Sequence, residues 1–312
     1  KYLRGLFIIL CIALFSVKVF FWIDNIITNI HRIEKTDLFA KGQASSIYDS
    51  NGELIQMIDS SDFSQEYVSI KQIPNAVKYA FVANEDKIFF KHHGVNARGV
   101  IEDVSVRLTQ QENIPSMRYT ITQQLIKNQM ADHLTGETFP AKLRNIIEEQ
   151  YTAIILEDDL SKSKILEYYL NTLHFGETIV GVQAASDKFF GKNISELGIS
   201  EAAVLVATAK NPSTLNPFEH SEENGQERRN VLKNMLDEKY ISEDEYGDAL
   251  GDDVYLRIRN NAEETEKITE KVNSYYTDAV LEQVVGDLQE KLGYSATEAY
   301  QMVYGKGLKI YT

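Results

Sequence analysis

Apolar positions follow three different rhythms along the chain. From Gly5 to Val17 they run almost unbroken, and after Lys18 the run resumes as Val19-Phe20-Phe21-Trp22-Ile23. As a helix rising ~1.5 Å per residue, these 19 positions reach about 28 Å, close to the ~30 Å of a bilayer's hydrocarbon. The run reads as a transmembrane signal anchor over residues 1–23. Lys18 snorkels near one end and Trp22 sits at the interface. Lys1 and Arg4 hold the N-terminus on the cytoplasmic side and leave the rest outside. A cleaved signal peptide is the first rival, but Phe20-Phe21-Trp22 stands where a small-x-small cleavage site would be. A buried core helix is the second. Ile23, Ile26, Ile27, Ile30 and Ile33 continue at helical spacing beyond the anchor.

The second rhythm is short and strand-like. Residues 46–55, Ser-Ile-Tyr-Asp-Ser-Asn-Gly-Glu-Leu-Ile, predict a β-hairpin about Asn51-Gly52. The third is helical and dominates from Pro74 onward. Pro74 suits a helix start, and Ala76, Val77, Ala80, Phe81 and Ala83 make a stripe ending at Glu85-Asp86. Leu143, Ile146, Ile147, Tyr151, Ile154 and Ile155 make a second stripe, with Arg144 and Glu148 together at its border, four residues apart. A third helix covers Lys164–Leu170. A fourth, apolar all round, is expected to start with Ser200 as N-cap and to end before Pro212. Residues 223–292 are charge-rich and helical in pattern, and Gly307 to Thr312 opens a strand.

Composition narrows the class. The chain has 312 residues, 46 acidic against 32 basic side chains, and one Cys. An intramolecular disulfide and a Cys-based zinc cluster are thus excluded. A net charge of −14 argues against a nucleic-acid partner, which needs a basic stripe to displace counterions. The charge is also unevenly placed: residues 1–23 carry Lys1, Arg4 and Lys18 and no acid.

Two isolated strings carry no chemistry. His92-His93 are adjacent and diverge in direction on any regular element, so no metal site is assigned there. Ser161-Lys162-Ser163-Lys164 matches the Ser-x-x-Lys of penicillin-reactive enzymes, but no Lys-Thr-Gly follows, and the string precedes an amphipathic helix as a cap does. There is no His-Glu-x-x-His, Gly-x-Gly-x-x-Gly or Walker loop.

A series of strings in fixed order stands out instead. Glu85-Asp86-Lys87-Ile88-Phe89-Phe90-Lys91-His92-His93-Gly94 comes first, then Thr120-Ile121-Thr122-Gln123-Gln124-Leu125-Ile126-Lys127-Asn128, then Arg144 to Glu148. Lys164 to Asn171 with Gly176 follows, and Phe189-Phe190-Gly191-Lys192 with Ser200-Glu201-Ala202-Ala203 closes the series. Over residues 65–235 this resembles the peptidoglycan glycosyltransferase domain of class A penicillin-binding proteins, family 51 of the glycosyltransferases.

The resemblance implies a mainly α, lysozyme-like helical domain behind an N-terminal transmembrane helix, with its lower part in the membrane. It divides the chain into an anchor (1–23), a linker helix and β-hairpin (24–64), the glycosyltransferase domain (65–235), and a helical extension leading toward a transpeptidase domain (236–312). The implied activity is polymerisation of lipid II into β-1,4 glycan strands with inversion and release of undecaprenyl pyrophosphate. Implied partners are lipid II, the growing glycan, the bilayer, and cell elongation or division proteins.

Joining a sugar 4-hydroxyl to an anomeric carbon needs a base for the hydroxyl proton, the role implied for Glu85. Charge growing on the pyrophosphate needs fixed cations and donors. Lys127 and Arg144 match those positions. Glu148 matches the second family acid and is expected to orient the cations, with no cofactor required and room for a divalent Mg or Mn at the pyrophosphate. Asp86, Phe89, Thr122, Gln123, Gln124 and Asn171 complete the expected substrate-binding set. Phe90 is expected in the core, and His92 and Gly94 are expected to shape the turn that presents Glu85.

Two departures bear on activity. Met117-Arg118-Tyr119 replaces the family's Gly-Gly-Ser, which is expected to alter acceptor access. Arg144-Asn145 replaces its Arg-Lys, losing a charge-assisted contact of about 1–3 kcal/mol for which Arg118 is a substitute. A lysozyme-like glycan hydrolase and a noncatalytic lipid II-binding scaffold are the alternative functions.

Overall fold

The structure, a computed structural model, describes residues 16–28, 45–58, 64–65, 67–96, 119–130, 138–176, 179–266, 275–305 and 308–312. Residues 16–28 form helix α1. The rest of the anchor, residues 1–15, and most of the linker helix lie outside the described residues. Among those described, no helix is long and apolar enough to cross a membrane.

The hairpin forms as its turn chemistry dictates. Strands β1 (Ser45–Tyr48) and β2 (Leu54–Ile58) pair antiparallel. Gly52 takes φ +84°, and the Asp49 carboxylate accepts from the backbone N–H groups of Asn51 and Glu53 at 2.9 and 2.7 Å. Strand β3 (Ser64–Gln65) pairs in parallel with β4 (Ile179–Val180).

Helices make up most of the body: α2 (Asn75–Glu85), α3 (Ile121–Met130), α4 (Phe139–Asp159), α5 (Lys162–Thr172), α6 (Val182–Phe190) and α7 (Ile199–Lys210). They continue through α8 (Ser221–Asp237), α9 (Glu243–Gly251), α10 (Val254–Glu266), α11 (Tyr275–Leu292) and α12 (Ala296–Gly305). Pro74 precedes α2 in extended backbone, and Val77, Ala80, Phe81, Val82 and Ala83 are buried. Helix α7 is central, buried at every position from Ser200 to Thr208, and packs with α2 and α8. Its start differs from the expected one. Gly198 is the N-cap, its N–H held by Glu201 at 3.0 Å, while Ser200 lies inside the helix and accepts from Arg228 at 2.8 Å.

The stripe on α4 is turned out of the core. Only Ile146 of its six members is buried; Leu143, Ile147, Tyr151 and Ile155 are half-buried and Ile154 is exposed. The inward face instead carries Asn145, Glu148, Glu149, Thr152, Ala153 and Leu156. Hydrophobic periodicity found the helix but not its rotation: the face turned toward the core is a mixed one.

Ser161 caps α5 as expected, accepting from Lys164 N–H at 3.3 Å. A second, smaller core joins Ile47 of β1 and Ile310 to Leu281, Val285, Ala299, Tyr300, Val303 and Tyr304 of α11 and α12. Strand β5 (Lys309–Tyr311) lies parallel beside β1, giving a three-stranded sheet of order β2-β1-β5.

Candidate active site

Glu85 is the last residue of α2, so its half-buried carboxylate stands where a packed apolar helix opens onto a cavity of about 850 Å³. Helix α3 supplies Gln124, Lys127 and Asn128 to the same cavity. The Gln124 amide donates to Glu85 Oε2 at 3.2 Å, and its carbonyl accepts from the Tyr169 hydroxyl at 3.1 Å. Burial, with the charges of Glu85 and Asp86 added, pushes the Tyr169 phenol well above its usual range, so it stays a donor. Lys127 Nζ sits 4.4 Å above the centre of the Tyr119 ring.

Directly behind Glu85 the chain turns back on itself. Asp86 is buried, accepts from Ile121 N–H at 3.0 Å and faces His92 Nε2 at 2.7 Å. The other His92 nitrogen lies 3.3 Å from Lys162 Nζ, which donates to Glu157 at 2.7 Å; Glu157 also accepts from Thr122 at 2.5 Å. Burial depresses the Lys162 amine, against the hydrogen bond it donates to Glu157. Phe89 is fully buried under Lys162, 4.5 Å from Nζ. Gly94, at φ +81°, closes the turn: a Cβ there would lie 2.3 Å from the Ala153 carbonyl oxygen of α4. The expected shaping roles of His92 and Gly94 correspond to these contacts.

Of the residues expected at substrate, the fold thus brings Glu85, Gln124 and Lys127 to one cavity. Asp86, Phe89 and Thr122 lie behind it. Gln123 belongs to the scaffold: Thr120 and Gln123 form a reciprocal cap on α3, with Thr120 N–H to Gln123 Oε1 at 2.8 Å and Gln123 N–H to Thr120 Oγ1 at 3.1 Å. Asn171 is buried as a strap, exchanging hydrogen bonds of 2.9 Å with both backbone groups of Val68. Phe90, expected in the core, is 50% exposed because the turn after Glu85 sends successive side chains to opposite sides.

Arg144 and Glu148 meet as expected, Nε to Oε1 at 2.8 Å, with the arginine exposed and the carboxylate nearly buried. They are not among the described residues lining the cavity. Met117 and Arg118 lie outside the described residues, whereas Tyr119 lines the cavity. Sequence reasoning missed the far walls: Lys210 of α7, Glu227, Asn230, Lys233 and Asn234 of α8, and the turn at Gly293–Ala296. Asn234 also donates to Asn84 at 2.7 Å, tying α8 to the residue before Glu85.

Among the described residues no three His, Cys, Asp or Glu side chains converge as a metal site.

The family named Transglycosylase matches residues 51–236, which hold the Glu85 turn, α3, α4, α5 and α7. The chain belongs to the transglycosylase family. It is 36% identical over 261 residues to penicillin-binding protein 1F of Bacillus subtilis, covering 84% of this chain and 34% of that protein. It is 36% identical over 264 residues to penicillin-binding protein 1A of Aquifex aeolicus, covering 85% and 35%. The chain thus spans about a third of the length of the curated relatives it matches. Penicillin-binding protein 1A of Haemophilus influenzae, a solved structure, superposes with a TM-score of 0.37 at 23% identity over 88% of this chain and 27% of that one, a likeness that carries no argument. In this transglycosylase chain the matched residues include all of the cavity lining except the turn at Gly293–Ala296.

Proposed function

We propose that this chain is a peptidoglycan glycosyltransferase that polymerises lipid II into β-1,4 glycan strands during bacterial cell wall synthesis. The observation that carries the reading is the Glu85 carboxylate, held by Gln124 at 3.2 Å in a cavity that also presents Lys127. Glu85 takes the proton from the acceptor's 4-hydroxyl. The freed oxygen attacks the donor's anomeric carbon from the face opposite the pyrophosphate. One carbon–oxygen bond forms as the bond to phosphate breaks, so the configuration inverts and undecaprenyl pyrophosphate leaves.

Lys127 meets the charge that grows on the leaving group. Arg144, oriented by Glu148, approaches the same phosphates once substrate is seated. A lysine at Asn145 would add a third cation, so its absence slows the step without removing it. The Asp86–His92–Glu157–Lys162 cluster fixes the Glu85 turn from behind.

The same reading places the chain at the outer face of the bacterial membrane, anchored once by its N-terminal segment with the N-terminus cytoplasmic. Supporting it are Phe20 and Phe21, 65% and 64% exposed on α1, and the half-buried apolar stripe of α4 with exposed Ile154. The glycosyltransferase domain is assigned to residues 65–235, and residues 236–312 lead toward a transpeptidase domain.

Detergent-solubilised chain incubated with labelled lipid II should give glycan polymer and undecaprenyl pyrophosphate. Intact lipid II after long incubation, with the protein still folded, overturns the reading.

A further inference from the structure

The cavity has one wall that the transglycosylase match does not reach. Beyond residue 236, the turn between α11 and α12 brings Gly293, Tyr294, Ser295 and Ala296 to the space that Glu85, Gln124 and Lys127 share. We propose that Tyr294 is a substrate-contacting residue, whose ring seats a sugar of the glycan or of lipid II against this wall. The inference rests on the glycosyltransferase reading for the identity of the sugar.

The turn is held in place from three sides. Gly293, at φ +71°, ends α11, and the N–H groups of Gly293 and Tyr294 return to Gln289 and Leu288 at 3.1 and 3.2 Å. Ala296 and Ala299 of α12 are buried, and Tyr300 stacks on His174 with ring centres 5.9 Å apart and planes at 9°. Helix α12 packs against α3, the helix that carries Gln124 and Lys127. The last strand, β5, pins the far end of this hairpin to β1.

A fixed, half-buried aromatic ring in a cavity of mixed lining suits a sugar. The axial C–H face of a hexose is apolar and packs on a ring, while its hydroxyls reach surrounding polar groups. Asn128, Asn230 and Asn234 line the same space and supply such groups. Tyr169 is buried with its hydroxyl bound to Gln124, whereas half-buried Tyr294 packs on the second core from one side and keeps part of its surface at the cavity.

Initial polymerisation rates against lipid II concentration test this with Tyr294→Ala and Tyr294→Phe in the full chain. Tyr294→Ala should raise KM about tenfold with kcat within twofold of wild type, and Tyr294→Phe should match wild type. A wild-type KM for Tyr294→Ala overturns the proposal. If Tyr294→Ala melts, Tyr294→Leu, which keeps bulk and drops the aromatic face, takes its place with the same expectation. A wild-type protein that makes no polymer removes the polymerase reading. Saturation-transfer NMR with soluble disaccharide–peptide then decides the wall, with transfer at least fivefold weaker in the alanine variant expected and equal transfer overturning it.

Discussion

The side-chain amide of Gln124 bridges Glu85 to Tyr169, donating to the carboxylate at 3.2 Å and accepting from the phenol at 3.1 Å. The bridge fixes one carboxylate oxygen toward α3 and holds the group at the cavity. A base in that setting acts as a positioned acceptor, which gives general-base catalysis its effect of about 10²- to 10⁴-fold.

Glu85→Gln should therefore lower the polymerisation rate by at least about 100-fold, with a melting temperature close to wild type. Initial rates with labelled lipid II check it. A variant that polymerises at the wild-type rate removes Glu85 from the role of base.

Arg144 and Glu148 present two readings that stability and rate separate. As a local i,i+4 pair on α4, with the arginine exposed and the carboxylate nearly buried, they contribute no more than about 1 kcal/mol to folding. As pyrophosphate partners they matter far more in the transition state. Arg144→Ala should leave the urea midpoint nearly unchanged and lower kcat about 10- to 100-fold, the equivalent of losing one charged hydrogen bond. An unchanged kcat would leave the pair as a local contact within α4.

Asn171 should behave in the opposite way. Its amide holds both backbone groups of Val68 and the Glu167 carbonyl. Asn171→Ala leaves those buried groups unmatched and should destabilise the fold by about 2–3 kcal/mol. The fraction that remains folded should keep a near-normal KM. A raised KM with unchanged stability would return Asn171 to the substrate.

Gly94→Ala combines a positive φ with a Cβ placed 2.3 Å from a backbone oxygen of α4. Neither neighbour is a flexible tip, so the loss should be about 3 kcal/mol. Urea unfolding measures it, and the Glu85 turn should lose activity with it.

Acid stability should depend on His174. Burial drives its imidazole from the usual 6.5 down to about 3. Between those values the unfolded chain takes up a proton that the folded chain refuses. Stability is therefore full above pH 6.5 and falls as pH drops toward 3. His174→Phe keeps a ring against Tyr300 and should flatten that limb in chemical-denaturation curves. An unchanged slope would assign the acid loss to other groups.

Much of this architecture was legible along the chain because local rules decided it. Pro74 and the stripe to Ala83 located α2, and Asn51-Gly52 located the hairpin. The Ser161 cap was read correctly against a catalytic alternative. Where long-range contacts decided, local pattern misled. Helix α4 turns most of its apolar stripe out of the core and buries Glu148, Glu149 and Thr152 instead, an orientation that its hydrophobic pattern does not encode. Gln123 matched a motif yet serves as a cap, although Thr-x-x-Gln before an apolar run was itself a readable signal. The distant walls of the cavity had no such signal, since α8 and the Tyr294 turn reach Glu85 only through tertiary packing.

The pairing of β1 with β5 has a mechanical consequence. The two strands run in the same direction in register, Ser46 beside Lys309 and Tyr48 beside Tyr311, with hydrogen bonds from Ser46 to Leu308 at 2.8 Å and from Thr312 to Tyr48 at 3.1 Å. A tether pulling on the start of β1 and a load pulling on the end of β5 would stretch them in shear. All the rungs would then bear tension together instead of peeling one by one, so opposed forces on those two ends would meet the resistance of the whole ladder at once.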